Sequence, residues 1–146
     1  MKYNHIRYAA MIIKEYDGSV PLAIYLKSFF KANKQMGSRD RKTVSELVYG
    51  YFRLGHLQFD SIEERIEAGI NKNISSDGIF PWSHLLSDGI DRKAFADSFL
   101  VQPDLFIRIR PVKGKSVKDK LTAAGVKFYE CGDNCVGMPN STKVDT

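Results

Sequence analysis

The stretch that decides the fold is residues 37–56, GSRDRKTVSELVYGYFRLGH. Gly37 and Ser38 form a helix start signal, because a serine oxygen can accept from the free N–H groups of a first helical turn. Gly55 can take the left-handed backbone conformation that ends a helix. Between them, apolar residues recur at the three- and four-residue spacing of one helix side. These residues are Val44, Leu47, Val48, Tyr51 and Leu54.

A second stripe of this predicted helix is charged. Arg39, Lys42, Glu46 and Arg53 return to nearly the same angle around the helix axis. The stripe is mainly basic, so we expect it to face solvent. An ordinary core helix with a solvated charged side has the same pattern, so this pattern alone does not assign a function.

Composition indicates a folded chain without a membrane segment. The chain has 146 residues, of which 43% are hydrophobic and 27% charged, as in soluble globular proteins. Its apolar run Tyr8 to Ile13 is too short for a membrane span, and no signal-peptide core follows the early basic residues. We therefore predict a cytoplasmic protein. Cys131 and Cys135 lack the spacing of a redox motif and the partners of a zinc site, so they are predicted to be plain thiols.

Charge is unevenly distributed along the chain. Residues 1–56 contain ten basic residues (Lys or Arg) and four acidic residues (Asp or Glu). Residues 57–104 contain four basic and nine acidic residues, and residues 105–146 contain eight basic and four acidic residues. The net charge is +5. Two basic ends therefore flank an acidic middle, which favours a nucleic-acid surface made from the ends.

Residues 1–101 carry a helical pattern. Helices are expected over residues 4–16, over residues 19–32 with Ser19 as the N-cap, and within residues 37–56. A fourth helix is expected over residues 62–70, with Ser61 and Glu64 as its capping box. A short helix is expected within residues 80–86. Another is expected after Asp91, which has the character of an N-cap. This region is predicted to be an all-helical domain.

The pattern changes at Pro103, and residues 102–146 are predicted to form a small α/β segment. Residues 105–110 alternate, with Leu105, Ile107 and Ile109 on one face of a strand and Phe106, Arg108 and Arg110 on the other. A helix capped by Ser116 and Asp119 should follow and end at Gly125. Residues 126–129 resemble a second strand. A strand, helix and strand in this order predict a parallel pair with a right-handed crossover.

The amino-acid sequences of two segments resemble the Sun/RsmB (Fmu) family of ribosomal RNA cytosine-5 methyltransferases. Residues 37–56 resemble a helix of the NusB-like domain that opens these enzymes. The matching residues there are Asp40, Arg41, Glu46, Leu47, Val48, Tyr49, Gly50 and Arg53. The segment after the helical domain is matched by Pro103, Ile107, Arg108, Arg110, Gly125 and Val126. Members usually carry Asn where Arg110 stands.

The resemblance implies a NusB-like helical bundle that docks an enzyme on ribosomal RNA. Family members transfer a methyl group from S-adenosylmethionine to C5 of cytosine, using a glycine-rich cofactor loop and cysteines in Thr-Cys and Pro-Cys contexts. Cys131 and Cys135 follow Glu130 and Asn134 and match neither context. We therefore expect the chain to precede an absent methyltransferase domain, with no catalytic residue, metal or cofactor of its own. Its expected partners are ribosomal RNA and that C-terminal domain, and not a membrane.

Nine residues are predicted to contact RNA, because each lies in a basic segment and points away from the predicted core. Arg108 and Arg110 share a strand face with Phe106, which offers a ring for base stacking beside two phosphate donors. The nine are Arg39, Arg41, Lys42, Arg53, Phe106, Arg108, Arg110, Lys113 and Lys115. Two other functions stay open: a free-standing NusB-like RNA-binding or antitermination module, and a helical protein-interaction adaptor.

Overall fold

Helices make up most of the ordered structure. The structure, a computed structural model, describes residues 3–71, 73–142 and 144. Within these residues it contains six α-helices and one three-stranded antiparallel sheet. The expectation of a mainly helical chain with a small mixed segment is confirmed at this level. The chain divides into two compact units, Met1–Val101 and Gln102–Thr146, called here the helical unit and the sheet unit.

The helical unit contains five α-helices and a short 3-10 helix in the described residues. Each coincides closely with a segment in which the sequence predicts a helix. They are α1 Tyr3–Glu15, α2 Leu22–Ala32, α3 Ser38–Arg53, α4 Ile62–Ala68, the 3-10 helix Ser83–Leu85 and α5 Arg92–Ser98.

Helix α3 packs against α1 and α4. Its predicted apolar side is buried, and Gly55 follows it with the positive φ of 52° that the sequence predicts. The core has contributions from α1, α2, α3 and α4, because each helix presents one apolar stripe. Its buried members are Ala9, Ala10, Ile12, Leu26, Phe30, Met36, Val44, Leu47, Val48 and Ile66.

Gly50 lets α3 and the end of α4 meet backbone to backbone. A Cβ atom added to Gly50 would lie 2.6 Å from the carbonyl oxygen of Gly69. Real Cβ atoms do not approach a backbone oxygen this closely, so a side chain at Gly50 would force the two helices apart. The glycine is therefore required by packing between helices and not by its own backbone conformation.

The predicted helix caps are partly right. Ser61 accepts from the backbone N–H of Glu64 at 3.0 Å, and Asp91 accepts from that of Ala94 at 2.9 Å, as predicted. The side-chain caps predicted at Ser19 and Ser38 are wrong, although α3 does begin at Ser38 as predicted. The capping residue of α2 is Pro21 and that of α3 is Gly37, and neither makes a side-chain cap.

The sheet unit contains three strands, one helix and a 3-10 turn in the described residues. These are β1 Leu105–Arg108, the 3-10 turn Pro111–Lys113, α6 Gly114–Ala123, β2 Tyr129–Glu130 and β3 Cys135–Met138. The strand order is β1-β3-β2, and both pairings are antiparallel. Helix α6 begins at Gly114 without a side-chain cap, so the predicted Ser116 and Asp119 cap is wrong.

The predicted parallel pairing is also wrong. β1 and β2 do run in the same direction, but β3 lies between them and pairs with both. The chain turns back after β2 through Gly132, Asp133 and Asn134, and this short turn makes the antiparallel return possible. A third strand supplies the partner that two strands lack, since an isolated pair is marginally stable in water.

The two faces of the sheet differ, as the alternation in β1 predicts. Directly opposite residues of paired strands share a face. Ile107 lies opposite Val136, and Leu105 lies opposite Met138. These residues and Ile109 pack with Val117 and Leu121 of α6. Helix α6 therefore covers one face, called here the inner face, and the other face is called the open face.

Candidate nucleic-acid interface

The first four predicted RNA contacts lie on or beside α3, but they do not form one uniform surface. Arg39 and Lys42 are exposed. The Lys42 Nζ atom lies 3.9 Å from Oε1 of Glu46, one helical turn away. An exposed pair at this distance contributes little stability and leaves the ammonium group accessible. Arg39 and Lys42 are therefore the available cations of this set.

Arg41 lies on another side of α3 and is half-buried. Its Nε donates to the backbone carbonyl of Met36 at 2.9 Å. Met36 is a buried core residue, so this bond holds the chain segment in front of α3 against the helix. Arg41 thus has a structural contact that its place in a basic run did not predict.

Arg53 is likewise half-buried near the end of α3. Its guanidinium carbon lies 6.0 Å from the ring centroid of Tyr49, at the outer limit of a cation–π contact. The ring restricts where the guanidinium can point. Arg53 is therefore less free to reach a ligand than Arg39 or Lys42.

Arg65 of α4 is a structural residue that no sequence pattern indicated. Its guanidinium donates to three backbone carbonyls: those of Tyr51 at 3.3 Å, Leu57 at 3.1 Å and Gly55 at 2.6 Å. It also lies 4.5 Å from the centroid of the Tyr51 ring. Arg65 is thus a second donor to the Tyr51 carbonyl, which the Leu54 N–H also reaches at 3.4 Å, and it is a donor to two carbonyls of the loop after α3.

Phe106 and Arg108 of β1 point to the open face, as predicted. Phe106 is 56% exposed. Arg108 is exposed, and so is Arg110, the residue before the 3-10 turn. The alternation in the sequence therefore predicts the face of β1 on which Phe106 and Arg108 lie.

Lys113 closes the 3-10 turn, and Lys115 lies in the first turn of α6. Both are exposed. No ion pair joins Arg108, Arg110, Lys113 or Lys115 to any carboxylate of the described residues. Two lysines at a helix N-terminus also oppose the helix dipole. The four cations are consequently available to an anionic ligand.

Tyr129 shares the open face, although the sequence did not predict it as a site residue. It lies opposite Gly137 of β3, and Phe106 lies opposite the same glycine from the other side. The Tyr129 hydroxyl donates to Oδ2 of Asp104 at 2.7 Å. This bond raises the pKa of Tyr129 to about 12, because ionising the hydroxyl would break it next to a carboxylate.

Cys131 and Cys135 are free thiols on either side of the β2–β3 turn. Cys135 lies opposite Arg108 in the register of the sheet. Desolvation, and then the neighbouring Cys135, raise the pKa of the Cys131 thiol. A raised thiol pKa means little thiolate at neutral pH, which is the opposite of an activated nucleophile.

A separate polar cluster in the helical unit is structural. Ser76 is 2% exposed, and its hydroxyl donates to the Asp97 carboxylate. Lys93 donates to the same carboxylate at 2.6 Å. These bonds, that of Lys93 first, lower the pKa of Asp97. The burial of Ser76 keeps it from any substrate, so this cluster ties a loop to α5.

Comparisons with models of known protein families, with curated protein sequences and with solved structures each found no match to this chain. In the described residues, no helix combines the length and the apolar character needed to cross a bilayer. The same residues contain no grouping of three His, Cys, Asp or Glu side chains suited to a metal ion.

Proposed function

We propose that this chain binds ribosomal RNA and serves as the RNA-docking portion of an S-adenosylmethionine-dependent rRNA cytosine-5 methyltransferase. In this proposal the helical unit is the NusB-like domain. The reaction itself belongs to a methyltransferase domain of the same protein, which holds the cofactor. The basic residues of the two units position the enzyme on its substrate.

The observation that carries the RNA-binding part is the open face of the sheet unit. It combines exposed cations without carboxylate partners in the described chain with an exposed aromatic ring. Phosphate groups attract such cations, and bases stack on such rings. An exposed, unpaired charge also loses little when a ligand binds, because no internal ion pair has to break.

The helical unit adds a smaller basic surface through Arg39 and Lys42. The resemblance of residues 37–56 and 103–111 to the Sun/RsmB family supports ribosomal RNA as the target, and it supports cytosine methylation as the reaction that the docking serves. Contacts with phosphates position a protein on RNA without reading sequence. We therefore assign docking, and not base selection, to these cations.

The helix surface is tested by replacing Arg39, Lys42 and Arg53 with Ala together. Binding of the full chain to a ribosomal RNA fragment is then titrated at several salt concentrations. Removing one phosphate-binding cation lowers the slope of log K against log salt by about 0.7 to 0.9. We expect weaker binding and a slope reduced by about one to two, because Arg53 is partly held by Tyr49.

A matched control removes the same charge from another helix of the same unit. Lys27, Lys31 and Lys34 are exposed on or just after α2, and their joint replacement with Ala should leave the slope near that of the unmodified chain. Equal effects of both triple variants would show attraction by net charge alone. An unmodified chain that binds without salt dependence would contradict RNA docking and favour the protein-interaction adaptor.

A further inference from the structure

The open face of the sheet presents two aromatic rings on either side of a glycine. Phe106 of β1 and Tyr129 of β2 are both opposite Gly137 of the central strand β3. The two rings are 56% and 47% exposed. Neighbouring strands are about 4.8 Å apart, so the two ring-bearing backbones lie about 10 Å apart across β3. Helix α6 packs on the inner face and leaves these rings uncovered by the sheet unit.

Gly137 allows the Tyr129 ring to lie across the central strand. Three atoms of the phenol group, Cζ, Cε2 and Oη, would each lie within 2.7 Å of a Cβ atom at Gly137. Any other residue there would displace the ring. The hydrogen bond from the Tyr129 hydroxyl to Asp104 fixes the far end of the ring. The ring is therefore held in place before a ligand arrives, which lowers the entropy lost on binding.

Cationic groups border the same face. Arg108 lies one row from Phe106 on β1 and opposite Cys135 of the central strand, and Arg110 follows two residues later. Neither forms an ion pair within the described chain. Rings beside unpaired guanidinium groups suit a ligand with flat apolar surfaces and regularly spaced negative charges, which is the chemistry of a nucleotide strand.

We propose that this face is a stacking site for unpaired RNA nucleotides. Phe106 and Tyr129 each stack on a base, and Arg108 and Arg110 bind the phosphates between them. This site rests on the RNA-binding function proposed above and narrows it to single-stranded segments. Bases in a duplex are stacked on one another and cannot lie on the rings, so a helical RNA stem would bind only through its phosphates.

The experiment uses the full chain and three probes of equal length. The first is a single-stranded oligouridine, the second an RNA duplex, and the third an abasic ribose-phosphate oligomer, which has the charges but no bases. Phe106→Ala and Tyr129→Ala remove one ring each. Phe106→Tyr keeps a ring at that position, and Leu85→Ala, which removes an exposed apolar side chain of the helical unit, is the control. Circular dichroism checks that every variant is folded.

Each ring removed should weaken binding of the oligouridine by about 5- to 150-fold, the range measured for base–aromatic stacking. Binding of the duplex and the abasic oligomer should change less than about 3-fold. Phe106→Tyr and Leu85→Ala should bind oligouridine within about 3-fold of the unmodified chain. An abasic oligomer that binds as tightly as oligouridine would overturn the stacking site.

A second measurement needs no variant. Ultraviolet cross-linking of the unmodified chain to oligouridine, followed by mass spectrometry, should place adducts on Phe106 or Tyr129. Adducts confined to other residues would overturn the proposal even if an alanine variant failed to fold.

Failure of the stacking site and failure of RNA docking give different results. RNA binding that depends on Arg108 and Arg110 but not on the rings removes only the stacking site, whereas an unmodified chain that binds no probe removes RNA docking as well.

Discussion

The helical unit and the sheet unit use their basic residues in different ways. In the helical unit, Arg41 donates to Met36, Arg53 lies against Tyr49 and Arg65 donates to three backbone carbonyls. In the sheet unit, Arg108 and Arg110 have no ion-pair partner among the described residues. Charge counted along a sequence is therefore not the charge available to a ligand. Arg41, Arg53 and Arg65 of the helical unit are held by contacts within the fold, whereas Arg108 and Arg110 of the sheet unit form no ion pair with the described residues.

The largest loss of stability should come from replacing Arg65, whose guanidinium donates to three backbone carbonyls. Arg65→Met keeps an apolar stem but removes the donors to Tyr51, Gly55 and Leu57. Because hydrogen bonds to charged groups are worth about 1.5–3 kcal/mol and the carbonyls lose their partner, we expect the free energy of unfolding to fall by about 3 kcal/mol. The single tryptophan, Trp82, lies in the helical unit, so urea unfolding followed by its fluorescence reports on that unit.

Arg92→Met is the matched control. Arg92 is exposed at the start of α5, and an exposed side chain of this kind changes stability by about 0.5 kcal/mol or less. Equal losses in the two variants would mean that Arg65 is no more structural than a surface arginine. The contrast between the units would then fail.

Gly50→Ala should have the next largest effect. Alanine raises helix propensity by about 1 kcal/mol over glycine, but its Cβ would meet the carbonyl oxygen of Gly69 at 2.6 Å. Overpacking costs about 1–3 kcal/mol, and a clash with backbone atoms lies at the upper end of this range. After the propensity gain of about 1 kcal/mol is subtracted, we expect a net loss of about 2 kcal/mol. The same fluorescence measurement applies.

Gly114→Ala supplies the comparison from the sheet unit. Gly114 begins α6, and a Cβ atom added there would have no other atom within 4 Å. Alanine should therefore be neutral or slightly stabilising in thermal unfolding followed by circular dichroism. A stabilising Gly50→Ala would show that the contact between α3 and α4 relaxes easily. It would contradict the close backbone packing of these two helices.

The helical unit could be predicted well because its signals are local. Val44, Leu47 and Val48 repeat at helical spacing, and the Ser61 and Asp91 caps act within four residues. The contact of Gly50 with Gly69 is not local, and neither are the three acceptors of Arg65. No periodicity encodes such contacts, so the sequence points to Gly50 only through a family resemblance and gives no sign of the role of Arg65.

In the sheet unit, β1 was predictable and β3 was not. Leu105 to Arg110 alternate because one face is covered and the other is open. β3 has no such alternation, since Val136 and Met138 are buried by α6 and Gly137 is buried under the Tyr129 ring. Because the Tyr129 ring covers Gly137 on the open face and α6 covers the inner face, the residues of β3 show no burial period of two. Because the sequence did not predict β3, it gave no register between β1 and β2. It therefore could not place Tyr129 on the same face as Phe106.

A smaller effect is expected for the hydroxyl that holds the Tyr129 ring. The pKa of Tyr129 in the folded chain, about 12, lies above the ordinary value of about 10. Because the folded chain favours the protonated hydroxyl, the raised pKa stabilises the fold at any pH below about 10. This contribution is lost as the pH rises from about 10 to 12. Tyr129→Phe should therefore lower thermal stability slightly at neutral pH, and the difference should disappear above about pH 12.

The same variant can be followed by the ultraviolet absorbance of the phenolate. Of the seven tyrosines, one should ionise near pH 12 in the unmodified chain and be missing in Tyr129→Phe. Tyr25, whose pKa is raised first by desolvation, is present in both proteins. An absorbance change near pH 12 that is equally large in the unmodified chain and in Tyr129→Phe would mean that Asp104 does not hold Tyr129.

The most direct test of the central claim compares two pairs of charges within the sheet unit. Arg108 and Arg110 are replaced with Ala in one variant, and the exposed Lys120 and Lys127 in the other, so both lose the same net charge. Affinity for a single-stranded RNA is measured across salt concentrations. We predict that loss of the two arginines lowers the slope of log K against log salt by about 1.4, and that loss of the two lysines leaves it almost unchanged. Equal slopes in the two variants would contradict a phosphate-binding role for the arginines of this face.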